Sequence, residues 1–166
     1  MKTVKTNAMR LLERAGIAYE VRTYDYDPED LSGVKAAASL SLPVGQVYKT
    51  LVARGDRTSH LVCCLAVHQS VDLKKLAQIS GNKRVELIHV NELLPLTGYM
   101  RGGCSPLGMK KKWPTFIDEA VLNQDQVAVS AGQRGLQMLI KPQDLIRAVQ
   151  ATAGPICQEC EITCNQ

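Results

Sequence analysis

Two β-rich runs separated by a four-residue turn decide the fold of this chain. The first is Val-Tyr-Lys-Thr-Leu-Val-Ala-Arg over Val47–Arg54, and the second is Ser-His-Leu-Val-Cys-Cys-Leu-Ala-Val-His over Ser59–His68. Between them, Gly-Asp-Arg-Thr over Gly55–Thr58 has the polar, glycine-containing composition of a turn. The pattern predicts an antiparallel hairpin. Cys63 and Cys64 are adjacent in the second run, so their side chains should point to opposite faces and fill space there.

Helices and strands surround this hairpin without a regular βαβ period. Before it we predict a helix over 6–15, a strand over 17–24 and a helix over 34–40. After it we predict helices over 72–79 and 143–151, strands over 85–90, 115–118 and 126–130, and a helical turn that Asn91 caps and that stops before Pro95. The mixture favours an α+β domain over a doubly wound sheet. We assign residues 1–154 to this domain and residues 155–166 to a cysteine-containing tail.

Composition restricts the class of protein. The 166 residues, 45% hydrophobic and 22% charged, suit one globular domain. A net charge of +4 is too small for a protein that coats nucleic acid, which argues against a DNA-binding protein, but it fits contact with an anionic partner at one place. No apolar run has the length of a signal peptide core or a membrane span. We therefore expect a cytoplasmic protein, without membrane contact, whose six cysteines are reduced thiols.

Packing alone explains one glycine-rich segment poorly. It reads Gly-Tyr-Met-Arg-Gly-Gly-Cys-Ser-Pro-Leu-Gly-Met-Lys-Lys-Lys-Trp-Pro over Gly98–Pro114. Glycines let backbone N–H groups line a concavity for an anion or a carbonyl oxygen, and the lysines add positive charge. A long surface loop with a solvated charge run is the alternative. A nucleotide phosphate loop is excluded, because Met109 separates Gly108 from Lys110 and no hydroxyl residue follows the lysine.

Lys49 is the most informative single residue. Alternation along its strand places it on the same face as Val47, Leu51 and Ala53, which are apolar. A charge on such a face needs a partner or an anionic ligand. The alternative is an inward-pointing lysine that protects a strand edge from aggregation.

Ser130 ends a predicted strand and begins a second glycine-bearing turn, Ala-Gly-Gln-Arg-Gly over Ala131–Gly135. Such a turn can offer a hydroxyl and backbone donors to a ligand. It can equally be a hairpin bend in which Ser130 hydrogen-bonds its own backbone.

The sequence offers no recognisable metal site, and we predict neither a metal nor a cofactor. The three histidines lack metal-ligand spacing, since His60 and His68 lie near opposite ends of the run Ser59–His68 and His89 lies on another segment. The tail carries three thiols and no neighbouring histidine, which makes it a weak metal signal; these are Cys157, Cys160 and Cys164.

The motifs occur in an order that resembles the YbaK/EbsC family. These free-standing aminoacyl-tRNA editing proteins are related to the editing domain of bacterial prolyl-tRNA synthetases. The resemblance covers roughly residues 5 to 150 and rests on the following motifs: Tyr48–Leu51, Asp72–Lys75, Thr97–Tyr99, Gly102–Gly108, and Val129–Ser130 with Gly132 and Arg134–Gly135. It implies a single domain with a mixed, partly barrel-like sheet flanked by helices.

The branch that this chain resembles removes cysteine wrongly attached to tRNA(Pro). The implied partners are the tRNA acceptor end and prolyl-tRNA synthetase. In that branch the substrate's own thiol attacks its carbonyl and leaves as a thiolactone, so orientation and an oxyanion site matter more than an enzyme nucleophile. Two alternatives stay open. One is a deacylase for another small amino acid such as alanine, and the other is a non-catalytic binding protein with the same fold.

The resemblance also implies roles for individual residues. Lys49 would hold the terminal adenosine and its phosphate, the amides of Gly102 and Gly103 would face the ester carbonyl, and Ser130 would contact the amino acid or ribose. The implied substrate-binding residues are Tyr24, Thr50, Ser105, Gly132 and Arg134. Two positions depart from the family pattern, since Cys104 replaces an aliphatic residue and Ala131 replaces a glycine.

Overall fold

The computed structural model describes residues 5–159, and its elements confirm an α+β domain. The helices are Asn7–Arg14 (α1), Gly33–Leu40 (α2), Leu73–Ser80 (α3), Val90–Thr97 (α4) and Pro142–Val149 (α5). The strands are Glu20–Thr23 (β1), Tyr48–Gly55 (β2), Ser59–Ala66 (β3), Val85–Leu87 (β4), Thr115–Asp118 (β5), Val127–Ser130 (β6), Leu136–Ile140 (β7) and Thr152–Gly154 (β8). None of the helices within 5–159 is long and apolar enough to cross a bilayer.

The strands form two sheets that meet at one seam. The five-stranded sheet has the order β4-β2-β3-β5-β8, and the three-stranded sheet has the order β1-β7-β6. Pairing is parallel between β3 and β5 and between β5 and β8, and antiparallel elsewhere. A bridge between Val47 and Ala128 joins the sheets, and the amide of Ala128 donates to the carbonyl of Gln46 at 2.9 Å. The sheet is therefore mixed and partly closed, as the resemblance implied.

The central hairpin forms as predicted. β2 and β3 pair from Tyr48 opposite Ala66 to Gly55 opposite Ser59. Both faces of this pair are buried, and Cys63 and Cys64 lie on opposite faces as expected. Cys63 packs in a cluster with residues of α3, whereas Cys64 packs in the main core between the sheets.

Side-chain caps fix the starts of the first three helices, as their sequences indicate. The Thr6 hydroxyl accepts from the amide of Met9 at 3.2 Å, and the Ser32 hydroxyl accepts from the amide of Lys35 at 3.2 Å. The Asp72 carboxylate accepts from the amides of the second and third residues of α3 at 3.0 and 3.1 Å.

Four predicted or overlooked segments need correction. β7 and β8 were not predicted, and the strand expected over 85–90 ends at Leu87. The helical turn expected to stop before Pro95 is instead α4, which runs through that proline to Thr97. The proline removes the hydrogen bond to the carbonyl of Asn91, an exposed residue that water can solvate. The helix end is held by Gly98, whose amide donates to Leu94 at 2.9 Å.

The start of the predicted tail packs on the domain. β8 pairs with β5, and Ile156 is fully buried in the cluster beneath α3. Its carbonyl accepts from the amide of Asp72 at 2.7 Å. The core therefore continues past the predicted boundary at residue 154, while Cys160 and Cys164 lie outside the described residues.

Candidate active site

A cavity of about 430 Å³ opens where the two sheets meet. Its walls come from α2, the first half of β2, the end of β4 with the start of α4, the glycine-rich loop, and β6 with β7. Five of the predicted site residues line it, and these are Tyr24, Lys49, Thr50, Gly102 and Ser130. Segments far apart in the sequence thus converge on one space, which is the arrangement expected of a binding site.

Lys49 lies in the wall of this cavity on the face of β2 that the alternation predicted. It is half-buried, and within the described residues its amine has no hydrogen-bond or salt-bridge partner. Burial lowers the pKa of the Lys49 amine, and the nearby thiols of Cys157 and Cys63 oppose this effect. An amine in this state gains most from an anionic ligand, because no acidic side chain in the described part of the chain forms a salt bridge with it.

The outer edge of β2 is open beside Lys49. The carbonyls of Gln46 and Val52 accept from Ala128 and Ile88, the first at the seam and the second next to β4. Because backbone groups alternate in direction along a strand, Thr50 between them also points its N–H and C=O to this edge. No strand within residues 5–159 covers it there. The main chain of Thr50 can therefore hydrogen-bond a ligand in the cavity.

Two buried polar side chains in the wall have no partner within the described part of the chain. Tyr48 is 3% exposed and its hydroxyl is unpaired, while Gln137 is 6% exposed and its side-chain oxygen is unpaired. Burial raises the pKa of Tyr48, so its hydroxyl stays protonated and can donate. Unsatisfied buried polar atoms are costly, and in a cavity wall they indicate groups that a ligand satisfies.

Ser130 lies at the end of β6, directly opposite Gln137 on β7. Its hydroxyl accepts from the amide of Gly132 at 3.1 Å, so the local turn that the sequence allowed does form. The residue nevertheless borders the cavity. The two interpretations of Ser130 are compatible, since the hydroxyl proton stays available to a ligand while the oxygen accepts from the turn.

The glycine-rich loop supplies one free amide and not two. Gly102 has φ +86° and borders the cavity, and no acceptor among residues 5–159 is bonded to its N–H. Gly103 donates its N–H to the carbonyl of Met100 at 2.9 Å. The implied role of Gly103 as a donor to the ester carbonyl stays a prediction, and it would require this bond to break. Its lack of a side chain serves packing, because a Cβ would lie 3.0 Å from the main chain of Gln133 and Arg134.

Three further predicted residues do not line the cavity. Ser105 is fully buried, and its hydroxyl accepts from the amide of Leu107 at 3.2 Å. Arg134 donates from Nε to the carbonyl of Arg101 at 2.8 Å, which ties the two glycine-bearing loops together. Gly132 has φ +105° and lies where a Cβ would be 2.9 Å from the Tyr99 ring. These residues shape the site, and their contact with substrate stays a prediction.

The thiols near the cavity are poor nucleophiles. Burial raises the pKa of Cys64 and of Cys104 to about 12, so both are protonated at neutral pH. The Cys64 sulfur lies 3.8 Å from the Thr50 hydroxyl, and Cys104 is buried in the loop. Cys104 is thus buried as an aliphatic residue at this position would be.

The lysine run and the histidines lie largely elsewhere. Lys111 lies over the Trp113 ring, 4.8 Å from its centre, and borders a separate small cavity. His60 packs edge-on against the same ring at 5.0 Å, whereas His89 reaches the rim of the main cavity. Among residues 5–159 no group of three or more histidine, cysteine or acidic side chains is arranged to hold a metal ion.

Sequence reasoning missed Gln137 and gave no role to Tyr48. Tyr48 belongs to the motif Tyr48–Leu51, but the alternation pattern of the strand singles out its neighbour Lys49 and not Tyr48. Gln137 is the one polar residue in the run Leu136–Ile140, all of which is buried. A single side-chain amide inside an apolar run is the feature of the sequence that could have identified Gln137.

Comparison with known proteins finds relatives that act on aminoacylated tRNA. A model of the aminoacyl-tRNA editing domain matches residues 29–148. EbsC of Enterococcus faecalis, named as a proposed Cys-tRNA(Pro)/Cys-tRNA(Cys) deacylase, is 42% identical over 142 residues, covering 86% of this chain and 87% of the relative. ProXp-y of Escherichia coli, named a multifunctional Ser/Thr-tRNA deacylase, is 27% identical over 146 residues, or 84% of each chain. A crystal structure described as a proposed trans-editing enzyme for prolyl-tRNA synthetase has a TM-score of 0.81 at 22% identity, covering 95% of this chain and 100% of that chain, which is a likeness of fold.

Proposed function

The chain belongs to the aminoacyl-tRNA editing domain family, and from that premise we propose that it is a deacylase that removes mischarged cysteine from tRNA(Pro). The observation that carries the proposal is the half-buried amine of Lys49, which has no partner among residues 5–159 and lies in a cavity at the seam of the sheets. The name of the Enterococcus faecalis relative, at 42% identity, supports the choice of cysteine.

In this proposal the cavity receives the last nucleotide of the tRNA with its amino acid. Lys49 binds the phosphate of the terminal adenosine, and the open backbone edge at Thr50 bonds the nucleotide or the amino acid. Ser130 and Gln137, which lie opposite each other on neighbouring strands, contact the aminoacyl group or the ribose. Tyr24 completes the wall.

The reaction we propose needs no nucleophile from the protein. The sulfur of the bound cysteine attacks its own carbonyl carbon, the ester bond to the ribose breaks, and the ribose oxygen takes up the proton that the thiol loses. The products are a cyclic thiolactone and tRNA with a free terminal hydroxyl. The Gly102 amide stabilises the developing oxyanion. High pKa values of the neighbouring thiols support the view that no protein cysteine competes for the carbonyl.

The test is deacylation of purified aminoacylated tRNAs with identification of the released product. We expect rapid loss of cysteine from Cys-tRNA(Pro), with thiolactone among the products, and little loss of proline from Pro-tRNA(Pro). Alanine, serine and threonine esters belong in the same panel, the last two because of the activity named for the Escherichia coli relative. Loss of one of these in place of cysteine would make water the nucleophile. No turnover of any of them would refute an enzyme and leave the binding-protein alternative.

Prolyl-tRNA synthetase is the partner that we propose for this deacylase, in the cytoplasm. The cavity is small compared with a whole tRNA and contacts one end of it, so recognition of tRNA(Pro) as such needs a further source. A complex with the synthetase supplies it. Co-purification of the two proteins in the presence and absence of tRNA(Pro) tests this step.

A further inference from the structure

A second groove, of about 590 Å³, lies beside the five-stranded sheet at the beginning of β4. Its floor includes Leu73, Ala77 and Val85 from α3 and β4. Most of its other lining residues are charged, and these are Arg54, Asp56, Lys74, Lys83, Arg84 and Glu86. Neither the sequence nor the comparisons assign a role to this groove.

The groove has an excess of available positive charge. Lys74, Lys83 and Arg84 are exposed, and within residues 5–159 none of them makes a salt bridge. Arg54 is already paired with Glu92 at 3.0 Å, outside the groove.

The acidic residues neutralise these cations only in part. Asp56 is committed to the main chain, since its carboxylate accepts from the amides of Lys83 and Arg84 at 2.9 and 3.1 Å. These bonds lower the pKa of Asp56 and hold the carboxylate against the backbone. Glu86 is the other acid in the groove. Because Asp56 stays ionised, the three unpaired cations among residues 5–159 face two carboxylates, and a net positive charge remains.

The groove leads to the cavity along one strand. Val85 and Glu86 of β4 line the groove, and the next residue, Leu87, lines the cavity. β4 is an edge strand of its sheet. At a rise of about 3.3 Å per residue, its three residues span roughly 10 Å. An extended single strand whose last nucleotide sits in the cavity can therefore reach the cations of the groove.

An exposed apolar side chain lies where the groove meets the cavity. Leu87, the last residue of β4, is 41% exposed and borders the cavity next to the groove residue Glu86; Val90, at the start of α4, is 62% exposed and also borders the cavity. Single-stranded nucleic acid is commonly bound by a charged groove that follows its phosphates together with apolar or aromatic surfaces that contact its bases. The charged and apolar parts of that arrangement are both present here, in order, along β4.

We propose that the single-stranded acceptor end of the tRNA leaves the cavity over Leu87 and follows β4 into this groove, where Lys74, Lys83 and Arg84 bind its phosphates. The inference rests on the proposed function, because it requires the terminal nucleotide to occupy the cavity. The inference assigns the principal backbone contact to this groove and not to the lysine run Lys110–Lys112.

The test compares two variants that each lose three positive charges. One is Lys74→Ala/Lys83→Ala/Arg84→Ala in the groove, and the other is the matched control, in which all three residues of Lys110–Lys112 become alanine. Fluorescence anisotropy with labelled tRNA(Pro) gives Kd for each protein over a series of salt concentrations. Kinetics of Cys-tRNA(Pro) deacylation give kcat and KM. A third variant, Lys74→Arg/Lys83→Arg/Arg84→Lys, keeps the charges.

We expect the groove variant to bind tRNA(Pro) roughly tenfold more weakly at low salt. The slope of log Kd against log salt concentration should be smaller by about 2, because each of the three lost phosphate contacts on a single strand contributes about 0.7 to this slope. Its KM should rise while kcat stays near the wild-type value. The matched control should bind within about twofold of the wild type, and the charge-preserving variant should keep the full slope.

Several results would overturn the inference. They are an unchanged slope in the groove variant, a larger loss in the lysine-run control, or a wild-type protein that does not bind tRNA(Pro) at all. A wild-type protein that binds tRNA(Pro) but releases no amino acid would instead refute the deacylase, and the comparison of Kd values would still decide the groove.

Discussion

Replacing Lys49 by methionine separates its role in the site from any role in the fold. The substitution removes the ammonium group and keeps an unbranched, flexible side chain. In the free protein this amine has no partner among the described residues, so no hydrogen bond is lost. In the complex that we propose, the same amine binds a phosphate.

The size of each effect follows from that difference. A hydrogen bond to a charged group is worth about 1.5 to 3 kcal/mol, so kcat/KM for Cys-tRNA(Pro) should fall by about 10- to 150-fold. Stability should not fall. Burial lowers the pKa of this amine, which means that the fold disfavours its charge, and a neutral side chain relieves that cost. We expect the free energy of unfolding to stay the same or rise by up to about 1 kcal/mol, an increase in Tm of roughly 2 to 4 °C.

The assays are single-turnover deacylation and thermal unfolding, with Lys112→Met as the control. Lys112 is exposed and lines the separate cavity near Trp113, so its loss changes the net charge equally without touching the candidate site. If the Lys49→Met protein keeps kcat/KM within about threefold of wild type, Lys49 does not bind the substrate phosphate. One that loses 2 kcal/mol or more of stability would show that the lysine supports the fold, and the reasoning from its missing partner would be wrong.

Three further changes have defined outcomes. Gln137→Leu should leave stability unchanged or slightly higher, since its side-chain oxygen has no partner in the described chain, but it should raise KM; a large loss of stability would show a hidden structural bond. Gly103→Ala should cost about 1 to 3 kcal/mol in chemical unfolding because its Cβ meets backbone, whereas Gly45→Ala, whose Cβ has only ordinary contacts, should be nearly neutral. KM should increase as the pH is raised, because Lys49 binds phosphate only when it is charged. Burial lowers the pKa of Lys49, so this increase should begin at a pH below the ordinary lysine pKa of 10.5. Lys49→Arg should abolish that rise, and a rise unaffected by this substitution would assign the titration to another group.

Much of the fold could be predicted because local rules and tertiary structure agree. The hairpin of β2 and β3, the caps Thr6, Ser32 and Asp72, and the opposite faces of the paired cysteines all follow from spacing and residue type. β7 could not be identified in this way. It lies between β1 and β6 and is buried throughout, so it lacks the alternation that marks a half-exposed strand.

The candidate site was predicted in its positions better than in its details. The pattern around Lys49 placed a lysine on an apolar face, and the structure puts it in the cavity wall. The sequence could not show which loop amide stays free, because the bond from Gly103 to Met100 depends on how the loop closes. The prediction that the helix stops before Pro95 is wrong for a similar reason. The carbonyl that loses its hydrogen bond to Pro95 belongs to an exposed residue, and the local sequence does not show this exposure.

The pairing of β1 with β7 has a consequence for the newly made protein. Glu20 lies opposite Leu139, so more than a hundred residues are synthesised after β1 before its partner exists. At about 5 to 20 residues per second this takes roughly 5 to 20 s. Until then β1 has no partner strand, and the wall that holds Gln137 and Ser130 cannot form. A nascent chain therefore has no complete cavity during most of its synthesis, and any editing activity begins only when this late, long-range pairing is made.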